Sequence, residues 1–222
     1  MKRIKFFAMI AFAAAVMASC GGRSDKKAEI IERLEAGEVP EEVTRAFVDA
    51  NASEVAWMGQ KITGSGHDGT IAVKEGVIYV FDEKLWGGKM VIDMNQIVVV
   101  DITDPDMNAR LKGHLESDDF FSVETHPEAT FEIIAFEAVE NAGEGQPNYR
   151  ISGNLTIKGI THSLAFPATV SHSDGKITAS ADFDFDRSLY DVRFGSGRFF
   201  ENLGDNLIND NINLKIDLVA SY

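Results

Sequence analysis

The sequence predicts an all-β protein: one antiparallel sheet of about eight strands closed into a barrel, with one short helix inserted. Three observations lead there. From Phe47 onward apolar and polar residues alternate with period two, the pattern of strands with one dry and one wet face. Turn-forming residues recur at hairpin spacing, which favours a meander over crossovers. A sheet of that many strands must also protect its edges, and closing on itself does so.

The chain opens with "MKRIKFFAMIAFAAAVMAS". Lys2, Arg3 and Lys5 precede an apolar run from Phe6 to Ala18 that is short for a membrane span and suited to an export signal. Small residues then lead into Cys20, an arrangement that resembles a bacterial lipobox with Met17 in the place of the usual leucine. The expected division is therefore residues 1–19 as signal peptide, 20–46 as lipidated Cys20 and flexible tether, and 47–222 as the barrel. Residues 21 to 45 are charged and lack aromatics, with Ile30, Ile31 and Leu34 able to form the stripe of a short helix ended by Gly37 and Pro40. Cys20 is the single cysteine, so the exported domain has no internal disulfide and depends on its core. Signal cleavage removes three basic residues and no acidic one, taking the formal charge from −14 to −17. Such a surface repels phosphate backbones, which argues against a nucleic-acid partner. Attachment to a membrane is expected from the lipid on Cys20, in the periplasm, "GGRS" lacking an acidic cluster that would suggest surface display.

The strands follow in order. Val55 and Trp57 share a face, as do Ile71 and Val73, then Met90, Ile92 and Met94, then Phe131 and Ile133. In "YRISGNLTIKGITHSLAFPATVSH" the same beat places Tyr149, Ile151, Gly153, Leu155 and Ile157 together, and Leu164, Phe166, Ala168 and Val170 after a break. Ala179, Ala181, Phe183 and Phe185 continue it, and Leu214 and Ile216 belong to the last strand. Turns are expected at Lys74-Glu75-Gly76, Gly87-Gly88, Asn141 to Pro147 and Ser173-Asp174-Gly175. Between the strands, Asp104-Pro105 reads as an N-cap and first helical residue. Met107, Leu111 and Leu115 then recur at helical spacing, giving a helix from about Pro105 to Ser117 and a loop carrying Phe120 and Phe121. This helix suits either a lid or a plain plug at one barrel end.

Several blocks together resemble the YceI-like proteins: "VDANASEVAWMGQKITGSGHDGTI", "GGKMVIDMNQIVV", "LKGHLESDDFFSVETHPEATFEI", "GNLTIKGITHSLAFP" and "DRSLYDVRFGSG", which cover essentially residues 48 to 220. The resemblance implies an eight-stranded antiparallel barrel of lipocalin-like shape whose pocket holds a polyisoprenoid or other long-chain lipid. On that expectation the pocket is lined by Val55, Trp57, Ile71, Val73, Met90, Ile92, Met94, Leu111, Phe120, Phe121, Phe131 and Ile133 from the first half. The second half adds Tyr149, Ile151, Leu155, Ile157, Leu164, Phe166, Phe183, Phe185, Leu214 and Ile216. Small Gly153, Ala168, Ala179 and Ala181 on the inward beat leave room, which a densely packed interior would not need.

Signs of catalysis are weak. His67, His126 and His162 fall in expected loops near Asp68, Glu124 and Glu128, but no pair has a recognised metal-ligand spacing. No serine sits in a Gly-x-Ser-x-Gly elbow. Arg187 and Arg193, amid Asp186 and Asp191, are candidates with His67 for rim contacts to a ligand's head, or else ordinary ion pairs. The sequence thus points to a non-enzymatic lipid binder without cofactor or metal, its partners a long-chain lipid and the membrane, with pairing into a homodimer left open. The competing reading is a stress-responsive or redox-associated accessory module with a packed barrel that works through its surface.

Overall fold

Alternating side chains give each strand one apolar face, and here those faces turn toward a common axis. The computed structural model describes residues 26–222, so the expected signal peptide and Cys20 lie outside the described residues. Its strands are β1 (Glu29–Ile30), β2 (Thr44–Val48), β3 (Glu54–Gln60), β4 (Gly66–Phe81), β5 (Lys84–Val99), β6 (Glu128–Ala138), β7 (Tyr149–Ile157), β8 (Ile160–Ser173), β9 (Lys176–Asp186) and β10 (Asn211–Ser221). Helix α1 spans Pro105–Glu116 between β5 and β6. Neighbours from β3 to β10 pair antiparallel, and β10 returns to β3, Leu214 facing Trp57, so eight strands close the ring. β2 pairs with the same two neighbours at the other end, Thr44 facing Val80 and Ser221 facing Phe47. β2 and β3 therefore act as two halves of one stave, joined at a bend where Asp49 Oδ1 accepts the Asn51 and Ala52 amides.

Two expected turns are strand interior. Lys74-Glu75-Gly76 lies within β4 beside register shifts at Ile71/Val73 and Val73/Glu75, and Gly87-Gly88 lies within β5. Their glycines serve close approach: a Cβ on Gly88 would meet the Val77 carbonyl oxygen at 2.5 Å. The hairpin from β4 to β5 turns at Asp82-Glu83, with φ of 51° and 61°, the double left-handed geometry of a tight hairpin. The expected turn at Asp174-Gly175 forms, with φ of 52° and 74°.

The amino-terminal segment is the largest departure. Residues 30–34 form no helix, and residues 26–31 are bound to the wall instead of hanging as a tether. β8 and β9 pair from Ser173↔Lys176 to Ala168↔Ala181 and then separate. β1 enters the gap, Glu29 and Ile30 facing Ala165 and Leu164, while Lys27 bridges Asp184 on the other side. Ala28 N–H donates to Asp184 O (2.8 Å), Asp184 N–H to Lys26 O (2.8 Å) and Ile31 N–H to Ser163 O (3.0 Å). Unpaired wall amides demand partners, whereas an isolated turn or two of helix has little stability of its own. Residues 44–46 of the expected tether likewise belong to β2.

α1 starts as its sequence dictates. Asp104 Oδ1 accepts the amides of Asp106 (3.1 Å) and Met107 (2.9 Å), and the helix stops one residue before the expected Ser117. Leu115 is buried and Leu111 half-buried, but Met107, expected on the same stripe, is exposed. Asn108 Nδ2 donates to the carbonyls of Val99 and Ile102, both at 2.9 Å, and Lys112 Nζ donates to that of Ile97 at 2.9 Å, fastening α1 across the end of β5.

Candidate functional site

The ring does not pack solid. Among the described residues, its interior holds an outer cavity of about 330 Å³ under α1 and an inner one of about 120 Å³ toward the β8–β9 half of the wall. Val55, Ile92, Leu155 and Leu214 border both, so the two chambers meet at these side chains.

Strand alternation brings most of the expected lining into place. Trp57, Ile71, Met94, Leu111, Phe120, Phe121, Ile157 and Phe185 face the outer chamber, together with His67 and Arg187. Met90, Phe131, Ile133, Ile151, Leu164, Phe166, Phe183 and Ile216 face the inner one. Phe166 and Phe183 stack at 4.0 Å between centroids, directly behind the gap that β1 fills. Val73 is buried in the wall but borders neither chamber. Tyr149 also borders neither; its ring meets Phe136 edge-on at 6.3 Å.

Of the small residues, Ala168, Ala179 and Ala181 face the inner chamber as expected. Gly153 does not provide space: a Cβ there would lie 2.7 Å from the Phe131 ring, which occupies its place. Two lining residues that strict alternation misses, Phe136 and Ile97, sit beyond bulges. Ile134 is the extra residue between Ile133↔Gly153 and Ala135↔Ser152, so Phe136, on the opposite beat to Ile133, also reaches the inner chamber. Ile97 enters in the same way, past the irregular β4–β5 register. Phe194 and Ile208, from the long loop before β10, carry no periodic signal.

The three expected rim groups differ. His67 borders the outer chamber with Nδ1 2.8 Å from Asp101 Oδ2. Burial works to raise the Asp101 carboxyl, but hydrogen bonds from His67 and from the Asp68 amide hold it below its ordinary value. Arg187 is only 1% exposed. Its guanidinium donates to the carbonyls of Asn209 (3.2 Å), Val192 (3.1 Å), Phe194 (2.9 Å) and Ile208 (3.5 Å) and lies 3.4 Å from Asp210. It is a brace for the loop, and its burial lowers the guanidinium pKa. Arg193 lies outside, paired with Asp191 and over the Phe199 ring at 5.4 Å.

The histidines disperse. His114 contacts Asp119 (3.2 Å), His162 the Leu189 carbonyl (3.2 Å) and His172 the Tyr222 hydroxyl (2.7 Å). Among the described residues no three His, Cys, Asp or Glu side chains sit together as a metal site. No helix among them is long and apolar enough to cross a membrane. What the arrangement offers chemically is a narrow hydrocarbon space with polar groups at one end.

The comparisons extend this picture. The model of the YceI-like domain matches residues 47–220. The crystal structure of Burkholderia cenocepacia BcnA is similar over 78% of this chain and 99% of its own, with a TM-score of 0.58 and 23% identity. A polyisoprenoid binding domain from Saccharophagus degradans, implicated in plant cell wall breakdown, is similar over 81% of this chain and 99% of its own, with a TM-score of 0.55 and 16% identity. At these identities the two structures share the fold with this chain. No curated protein sequence matches it.

Proposed function

Since the chain belongs to the YceI-like family, we propose that its barrel binds the tail of a long-chain amphiphile, a polyisoprenoid or fatty-chain lipid. In this reading it acts without catalysis, storing or carrying the lipid in the periplasm while a lipid on Cys20 anchors it to a membrane. The observation that carries the reading is the paired hollow, whose inner chamber is lined, among the described residues, by apolar side chains apart from Ser180. The name of the Saccharophagus domain supports the ligand class.

Transferring one CH₂ from water to such an interior is worth roughly 0.8 kcal/mol, so ten buried carbons give on the order of 8 kcal/mol before ordering costs. No charge need enter with the tail, and the head stays near α1. A packed barrel acting only through its surface does not account for the hollow. The test is organic extraction of purified protein followed by mass spectrometry, with thermal melts in added polyprenol. Co-purified amphiphile and a raised melting temperature are expected; repeated empty extracts with unshifted melts would remove the basis for the proposal.

A further inference from the structure

Among the described residues, four ionisable side chains border the two chambers, Lys61, His67, His114 and Arg187, and every one is basic. The whole chain has the opposite balance, 35 Asp and Glu against 21 Lys and Arg. All four border the outer chamber, and contacts link them around one end. His67 faces Gly59 across β3 and β4, two residues before Lys61. Lys61 bridges Ile208, whose carbonyl accepts from Arg187. Arg187 also holds the Phe194 carbonyl, and the Phe194 ring meets His114 edge-on at 4.5 Å.

Carboxylates partner three of the four: Asp101 with His67, Asp119 with His114 and Asp210 with Arg187. None of these acids borders the chamber. Lys61 has no carboxylate partner among the described residues; its Nζ donates to Asn206 Oδ1 at 3.3 Å. Elsewhere the acidic surface repels an anion. At this end an anionic oxygen would meet the Lys61 ammonium and the imidazoles of His67 and His114 beside a low-dielectric space, where charge-assisted hydrogen bonds are strongest. Arg187, its N–H groups taken by carbonyls, adds charge without a free donor.

Building on the tail-binding reading, we infer that the ligand's head group is an anionic oxygen acid, a carboxylate or a phosphate monoester, received by this basic ring with Lys61 as its principal contact. Trp57 lines the same chamber and supplies a fluorescence signal. The test titrates the delipidated protein at pH 7 with hexadecanoate, hexadecyl phosphate, hexadecanol and hexadecylamine. Both anions should bind about tenfold more tightly than the alcohol, with the amine weakest, and Lys61→Gln should cut that preference to about threefold. A stronger carboxylate arm assigns the head to a free fatty acid and a stronger phosphate arm to a phosphorylated chain; either sustains the inference. Alcohol or amine binding as tightly as the anions, or a preference untouched in Lys61→Gln, would overturn it while leaving tail binding standing. Silence from all four probes would overturn both.

Discussion

Arg187 braces the loop between β9 and β10 through four backbone carbonyls. Replacing it with Met would leave those oxygens and Asp210 short of a partner in a buried place, at a cost of about 3–5 kcal/mol. The expected result is a melting temperature lower by roughly 10 °C, read by circular dichroism. Arg187→Lys should recover only part of it, since an ammonium cannot span the fork of acceptors. Tyr190 makes the opposite case. It is wholly buried, its hydroxyl has no hydrogen-bond partner among the described residues, and burial pushes its phenol pKa up. Tyr190→Phe should therefore be neutral or stabilising by up to about 1 kcal/mol in chemical denaturation; a clear loss would show that the hydroxyl has a partner. Sequence reading placed the apolar face of these strands well, because side-chain direction follows from period two alone. It could not see that Arg187 is interior, since its acceptors are carbonyls of residues 192–209 that only the folded loop assembles.

At the scale of elements, the β1 segment is held by backbone bonds and by Lys26 against Asp182 (2.6 Å) and Arg150 against Glu29 (2.7 Å). The Asp182 carboxyl is held below its ordinary value, first by the Asn213 amide and then by Lys26. A carboxylate depressed in the folded state stabilises above its unfolded pKa, about 3.9, and loses that contribution as pH falls through the lower folded value. Protection of the Ala28 and Ile31 amides against hydrogen exchange, referred to the chemical exchange rate at each pH, should thus hold from pH 5 to 7 and weaken below about pH 4. Equal protection at pH 3 would show that the ion pair contributes nothing to docking. The segment was illegible as a strand because the vacancy it fills exists only after β8 and β9 part. The α1 start, by contrast, was plain from Asp104-Pro105, a cap that acts within a few residues. Bulges fell between these cases: Gly76, Gly87 and Gly88 were visible as breaks, but tight strand approach and a turn give glycine the same appearance.

For the whole molecule, closure was foreseeable because a long antiparallel meander has few other ways to hide its edges. The volume inside was not, since it depends on how side chains from opposite walls meet. Ala181 lies on the inner chamber, and Ala181→Phe should fill that end without removing any existing contact. The preferred length in a series of saturated chains should then shorten, with short chains binding nearly as before. An unchanged optimum would mean that tails stop short of the inner chamber.

Val55, Ile92, Leu155 and Leu214 border both chambers, so a tail that fills the hollow must pass between these four side chains. On the lipid-binding proposal, that passage should sort molecules by girth, a linear hydrocarbon reaching both chambers and a fused-ring sterol the outer one alone. Equal affinity for a sterol and for a linear chain of similar carbon count would show that these side chains set no limit on width.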